Sequence, residues 1–170
     1  MRIALTTSDV RRVQFWRRYL PILSTVFACS LGLLPIVVSS PVVPDFAFLV
    51  LLAWRLLRPE MWSATTPLLL GFFNDLLAGH PVGQSMALWT ITFIALDMVD
   101  SRVVWRDYWM DWLFASLAII SYTFADWYIG RLMGSVSEFA VMLPQLVASV
   151  LAYPIIARLV LILDRWRLGQ

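Results

Sequence analysis

The chain of 170 residues is 61% hydrophobic and only 14% charged, with a mean hydropathy of +0.78. That leaves too little polar surface to coat a soluble globule of this size, and predicts an all-α, polytopic membrane protein. All 13 residues of the Lys and Arg class are arginine and the net charge is only +2, so the basic balance reports orientation across a bilayer and not a nucleic-acid footprint. Cys29 is the single cysteine, which excludes an intrachain disulfide and any cysteine-pair metal motif.

In chain order, residues 1–18 read as a basic leader. Arg11, Arg12, Phe15, Trp16, Arg17 and Arg18 suit a short interfacial helix or a simple cytoplasmic anchor. No small-residue cleavage site precedes a polar mature domain, so the first apolar run reads as an uncleaved span over 20–38. Pro21 fits its first turn and Pro35 its end. The uncharged 39–43 link follows. A second span, 44–57, has Asp45 at its mouth and Arg55 and Arg58 at its foot; it is shorter than the ~17-residue lower range for a crossing helix, and a re-entrant segment is its rival.

Arg58-Pro59-Glu60 makes a charged turn that Trp54 and Trp62 bracket in the manner of interfacial anchors. A third span over 62–78 closes on Gly79, and a fourth, 82–96, follows Pro81. Asp97, Asp100, Arg102, Arg106 and Asp107 form the most charged loop, which belongs in water. The fifth span covers 109–129, with Asp126 expected to cap its far end beside Trp127 and Tyr128. The sixth covers 139–163, with Pro144 and Pro154 as expected kinks.

The arginines test this six-span scheme independently of hydropathy. With both termini cytoplasmic, every arginine except Arg131 falls on or near the cytoplasmic side; a five-span scheme puts the later basic loop and tail on the wrong side. No internal repeat or soluble linker appears, so residues 1–170 form one transmembrane domain.

The stretch from Gly71 to Gly83 places a carboxylate, an amide and the only histidine inside apolar sequence. An intramembrane aspartate costs roughly 2.5–3.5 kcal/mol even on a lenient insertion scale, so it faces a protein interior or a cavity. At helical spacing Gly71, Asp75 and Gly79 share one face, and the glycines admit a close neighbour there. Asp75 is therefore a candidate for an interior functional role, against a plain packing role at a helix junction. Asn74 points elsewhere and reads as satisfying a loop. His80, in Gly-His-Pro, reads as an exposed turn residue, since no second histidine or cysteine pair can complete a metal site.

Pro44-Asp45, Trp54, Arg58-Pro59-Glu60, Gly71 four before Asp75, and then Gly79, Pro81 and Gly83 together resemble the pattern of the rod shape-determining MreD family. The resemblance covers mainly residues 44–90. Phe73 and Asn74 depart from it, where the family usually has aliphatic residues, and so does His80. The resemblance implies a non-catalytic component of the bacterial inner membrane, without cofactor, that serves the cell-elongation machinery. Implied partners are MreC, the actin-like MreB, and the peptidoglycan-synthesising RodA with its class B penicillin-binding protein. It implies, too, a six-helix bundle similar to the substrate-binding subunits of energy-coupling-factor vitamin transporters. Asp45, Gly71, Asn74, Asp75, Gly79, Pro81 and Gly83 are then the residues of a partner-binding or structural site.

Two other readings of the acidic residues are open. Asp45, Asp75 and Asp126 map near one end of the bundle, and two of them sharing a proton would resemble the aspartate pair of an intramembrane peptidase; four spans in the lipoprotein signal peptidases disagree with six here. A small-molecule-binding subunit of a vitamin-transporter type would enclose its ligand among Asp45, Asp75 and nearby aromatics. The ordered motif set favours the shape-determining reading. It also makes Asp75→Leu a change expected to impair function in a normally inserted protein.

Overall fold

The computed structural model describes residues 7–33, 43–63, 65–102 and 107–168, with side chains from Tyr19 to Arg167. Among the described residues there are six α-helices and no strand. They are α1 (Thr7–Leu31), α2 (Phe46–Leu57), α3 (Thr65–Ala78), α4 (Gln84–Asp100), α5 (Tyr108–Leu132) and α6 (Leu143–Leu168), with short 3-10 turns at Pro59–Met61 and Phe139–Met142. The leader side chains Arg11, Arg12, Phe15, Trp16, Arg17 and Arg18, the Pro35 stop, most of the 39–43 link and Arg106 lie outside the described residues.

The bundle is organised around its shortest member. α2 has 12 residues, nine of them buried, and it is hydrophobic on every face because it packs against α1, α5 and α6. Phe48, Leu49, Leu51, Leu52 and Trp54 are closed off from the surface. Phe48 stacks on Tyr122 of α5 at 4.2 Å between ring centroids. Trp54 is therefore a core residue and not an interfacial anchor; its indole N–H donates to Ser24 Oγ of α1 at 2.8 Å. Trp62 does lie near the turn, packed edge-on against Phe93.

The outer helices invert the usual arrangement. Along α6, Val147, Leu151, Ile155, Leu159 and Ile162 are all exposed, spaced four, four, four and three residues apart, which makes one apolar stripe. α5 carries Leu113, Leu117, Ile120 and Phe124 in the same way and buries only Ala115, Ile119 and Tyr122. By length and composition two helices, Tyr108–Leu132 and Phe139–Arg167, suffice to cross a membrane; Tyr19–Leu31 and Phe46–Leu57 are shorter apolar helices.

Three prolines and caps differ from the sequence expectation. Pro21 sits inside α1, since that helix begins at Thr7, and its carbonyl accepts from Ser24 Oγ and Thr25 Oγ1 at 3.0 and 2.8 Å. Pro144 occupies the first turn of α6, where a missing N–H is harmless, and only Pro154 is interior. Asp126 does not cap α5, which continues to Leu132.

Candidate functional site

α3 and α4 form a hairpin whose close approach is set by one glycine. A Cβ on Gly71 would stand 2.6 Å from Met86 Cα and backbone N and 2.8 Å from the Ser85 carbonyl carbon. Only a residue without a side chain lets the two backbones meet there. The neighbour that Gly71 admits is thus α4 of the same chain.

One turn further along α3, Asp75 is 1% exposed. Its Oδ2 accepts from Gly83 N at 2.9 Å and its Oδ1 from Ser85 N at 2.8 Å. The first N–H groups of a helix have no partner within it, and α4 begins after Gly83, which has no side chain to serve as a cap. Asp75 supplies that cap from the preceding helix, and the positive end of the α4 dipole offsets its charge. This is the helix-junction role, and it explains how a carboxylate resides in an apolar hairpin without a basic partner.

The turn between them is built for the same purpose. Gly79 ends α3 with φ +70° and Gly83 opens α4 with φ +100°, both in the left-handed region that favours glycine. Gly79 lies beyond the end of α3, so it does not extend the Gly71 and Asp75 face. Pro81 stands in the turn and its carbonyl accepts from Gln84 N at 3.0 Å. Asn74 does not serve a loop: it is 4% exposed, and its Nδ2 donates to Ser85 Oγ at 3.1 Å. His80 is half-buried, with Nδ1 3.4 Å from the same Oγ.

Asn74 and His80 open onto a cavity of about 390 Å³, lined also by Asp45, Tyr122, Asp126, Gln145, Cys29 and Phe46. Asp45 is the N-cap of α2, its Oδ1 accepting from Phe48 N at 3.1 Å. Asp126 accepts from the Gln84 side-chain amide, and the Tyr122 hydroxyl interacts with Asp45 and Ser85. Asp45 and Asp126 therefore share one chamber, from which Asp75 is withdrawn by its cap. No group of three or more His, Cys, Asp or Glu side chains among the described residues is placed to hold a metal ion.

The opposite end of the bundle holds Arg55, Arg58 and Arg167. Arg55 of α2 is buried, pairs with Asp97 and with Asp100 (2.9 Å) from the last turn of α4, and lies over the Phe93 ring. Two members of the charged loop are thus helical and tied to α2. Arg58 donates to Asp164 Oδ2 of α6 through Nε and a terminal nitrogen at 3.0 and 2.8 Å, and Arg167 meets Asp164 Oδ1 at 2.5 Å. The hydrogen bonds to Asp164 hold the Arg58 guanidinium above its ordinary pKa, so it stays charged.

A family model described as rod shape-determining protein MreD matches residues 14–165. The chain belongs to the MreD family. The match extends well past the 44–90 stretch that carries the sequence resemblance. Membership gives the chain a role in rod-shape determination, places it among bacterial membrane proteins and associates it with the shape-determining complex. No curated protein and no solved structure matches. Residues that sequence reasoning missed are Tyr122 and Gln145 in the cavity lining, Gln84 and Ser85, which bond Asp126 and Asn74, and Asp164 at the opposite end. Ser85 had a readable signal, since it stands two residues into the helix that Gly83 opens; Tyr122 had none, because Asp45 and Ser85 are 77 and 37 positions away (122 − 45 and 122 − 85), and Asp164 showed only Arg167 one turn on, while Arg58 is 106 positions away (164 − 58).

Proposed function

We propose that this MreD-family chain is a non-catalytic, six-span component of the bacterial inner membrane that holds MreC and so positions the peptidoglycan synthesis complex, with RodA, its class B penicillin-binding protein and MreB as further members. The observation that carries the membrane part is the inverted surface. The apolar stripes of α5 and α6 face outward while Asp75, Asn74, Arg55 and Asp164 are buried, a distribution suited to lipid and unsuited to water. The arginine asymmetry supports cytoplasmic termini. Six helices, one of them short and central, is the helix number that the energy-coupling-factor subunit resemblance implies.

The contact with a single-span partner is assigned to the outward side of the α3–α4 hairpin near its turn. Leu69, Phe72, Leu76 and Val82 are exposed there, and the cap at Asp75 holds the hairpin in one geometry. Between helices already in lipid, burial of apolar surface gives no net drive, so shape and a few polar bonds decide the contact. Photocrosslinkers at Phe72 and Val82, with Leu151 on α6 as the control site, test this in cells. Capture of MreC from the hairpin sites and not from Leu151 is the expected result; no elongation protein from either hairpin site rejects the assignment.

A further inference from the structure

A groove lies between α5 and α6 at the end of the bundle where Arg55 and Arg58 stand. Its upper limit is a cross-helix tie. Pro154 has no N–H, so the Val150 carbonyl four residues earlier has no intrahelical donor, and the Trp112 indole of α5 donates to it at 3.3 Å. Below that tie the helices enclose about 130 Å³, floored by Ala53 and Leu56 of α2 and walled by Tyr153, Ala157 and Leu161 of α6.

Two charged side chains stand at the rim of this apolar space: Arg158 of α6, and Asp111 in the first turn of α5. No ion pair joins them, and Arg158 pairs with no other carboxylate among the described residues. Arg158 is exposed among Ile155, Leu159 and Ile162, which are exposed as well. It stands six residues short of Asp164 (164 − 158), about 9 Å along the helix, so it interrupts an apolar, outward-facing surface. In the membrane placement proposed above, on which this inference rests, lipid covers that surface, and an unpaired cation there needs an anion from the lipid itself. Asp111 has an interaction of its own within the protein and, as a carboxylate, keeps lone pairs for a further donor. Tyr108 and Trp109 are exposed beside it, as aromatic residues are at the level of lipid head groups. A guanidinium and a carboxylate on one apolar groove complement a zwitterionic head with a hydrocarbon tail.

We propose that this groove holds one molecule of phosphatidylethanolamine, a phospholipid with a primary ammonium head. Arg158 takes the phosphate, which suits the guanidinium fork. Asp111 accepts from the ammonium, and one acyl chain lies against Ala157 and Leu161. The two charges together select the lipid: phosphatidylglycerol brings no cation to Asp111, and the trimethylammonium of phosphatidylcholine has no N–H to donate.

Native mass spectrometry of the purified full chain, titrated in detergent with these three lipids on identical dioleoyl chains, counts and ranks the bound molecules. The expected result is one phosphatidylethanolamine per chain, held about fivefold tighter or more than either other lipid, the scale of one hydrogen bond between charged groups. Arg158→Leu places an apolar side chain on a lipid-facing surface, which leaves the fold intact, and weakens all three lipids by about fivefold or more. Asp111→Asn, a residue type equally at home near a helix start, reduces the phosphatidylethanolamine preference to about twofold or less and spares binding of phosphatidylglycerol. Equal retention of the three lipids, a preference for either of the other two, no lipid retained, or either variant behaving as wild type overturns the proposal. Each of those results leaves the membrane placement standing, and none bears on capture of MreC from Phe72 or Val82. A chain that stays dispersed without detergent rejects the placement and the lipid site with it.

Discussion

Replacing Asp75 by leucine should act on the fold before it acts on any partner. The substitution removes the acceptor for Gly83 N and Ser85 N, leaving two N–H groups at the start of α4 with no partner inside an apolar hairpin. Each such group costs about 1–3 kcal/mol, so the loss is roughly 2–6 kcal/mol, a large share of what a single domain has in reserve. Asp75→Asn keeps one side-chain oxygen for the helix start and forfeits the charge, which costs about 1–2 kcal/mol. Equilibrium unfolding of the purified protein by titration with a denaturing detergent, followed by circular dichroism, gives the ranking wild type, Asn, Leu. Hydrogen exchange at Gly83 and Ser85 should accelerate in the leucine variant before exchange in α5 does. An Asp75→Leu protein within about 1 kcal/mol of wild type, with those amides still protected, would refute the capping role and restore the expectation of a normally folded, functionally impaired protein.

Gly71→Ala should be nearly as harmful, by about 1–3 kcal/mol in the same unfolding assay, because the added Cβ meets backbone atoms at 2.6 Å and not a movable side chain; Leu76→Val on the exposed face should change little. At the other end, Asp97→Asn/Asp100→Asn strands the buried Arg55 guanidinium and should cost about 3–5 kcal/mol, whereas Arg55→Leu removes the buried charge itself and should cost less; the reverse order would contradict the pairing. For topology, cysteines at His80 and Gly134 in a Cys29→Ser background should react with an impermeant maleimide in intact spheroplasts, and cysteines in the Arg102 to Asp107 loop should not. Labelling of that loop with protection at His80 would invert the scheme.

What the sequence made legible was set by the range of the interactions. Helices and their turns follow from local signals, so the breaks at Pro59, Gly79 and Gly83 could be read from residue type alone. Asp75 and Gly71 were recognisable as a pair because they stand one helical turn apart, but what they face could not be read: a glycine that admits a neighbour does not say whether the neighbour is α4 or another protein. Asn74 and His80 were misjudged for the same reason, since Ser85 becomes their partner only when the hairpin closes. Trp54 misled by composition, because tryptophan beside a charged turn suits an interface as well as it suits a core contact with Ser24.

Under the proposed membrane placement, the length of α2 accounts for the collection of polar residues at two levels of the bundle. Twelve residues at 1.5 Å each span about 18 Å, while a bilayer hydrocarbon core is about 30 Å thick. In the proposed bilayer placement, a helix that short, at the centre and covered on all sides, would end inside the low-dielectric layer at one mouth or both, where its unpaired N–H and C=O groups could not reach bulk water. Each end needs polar side chains at that depth. Asp45 serves the first turn and opens the cavity with it. Arg55, in the last turn, and Arg58, at the C-cap, place positive charge where the helix dipole is negative, and Asp97, Asp100 and Asp164 then balance those cations. A central helix of full membrane-spanning length would need neither the cavity carboxylates nor the arginine clamp. Inserting one helical turn between Leu51 and Leu52 would displace one cluster from its partners by about 5.4 Å, and it should therefore destabilise the bundle although every added residue is apolar. Unfolding free energy in the detergent titration reads that outcome directly, and an insertion without effect would show that α2 is not held at both ends.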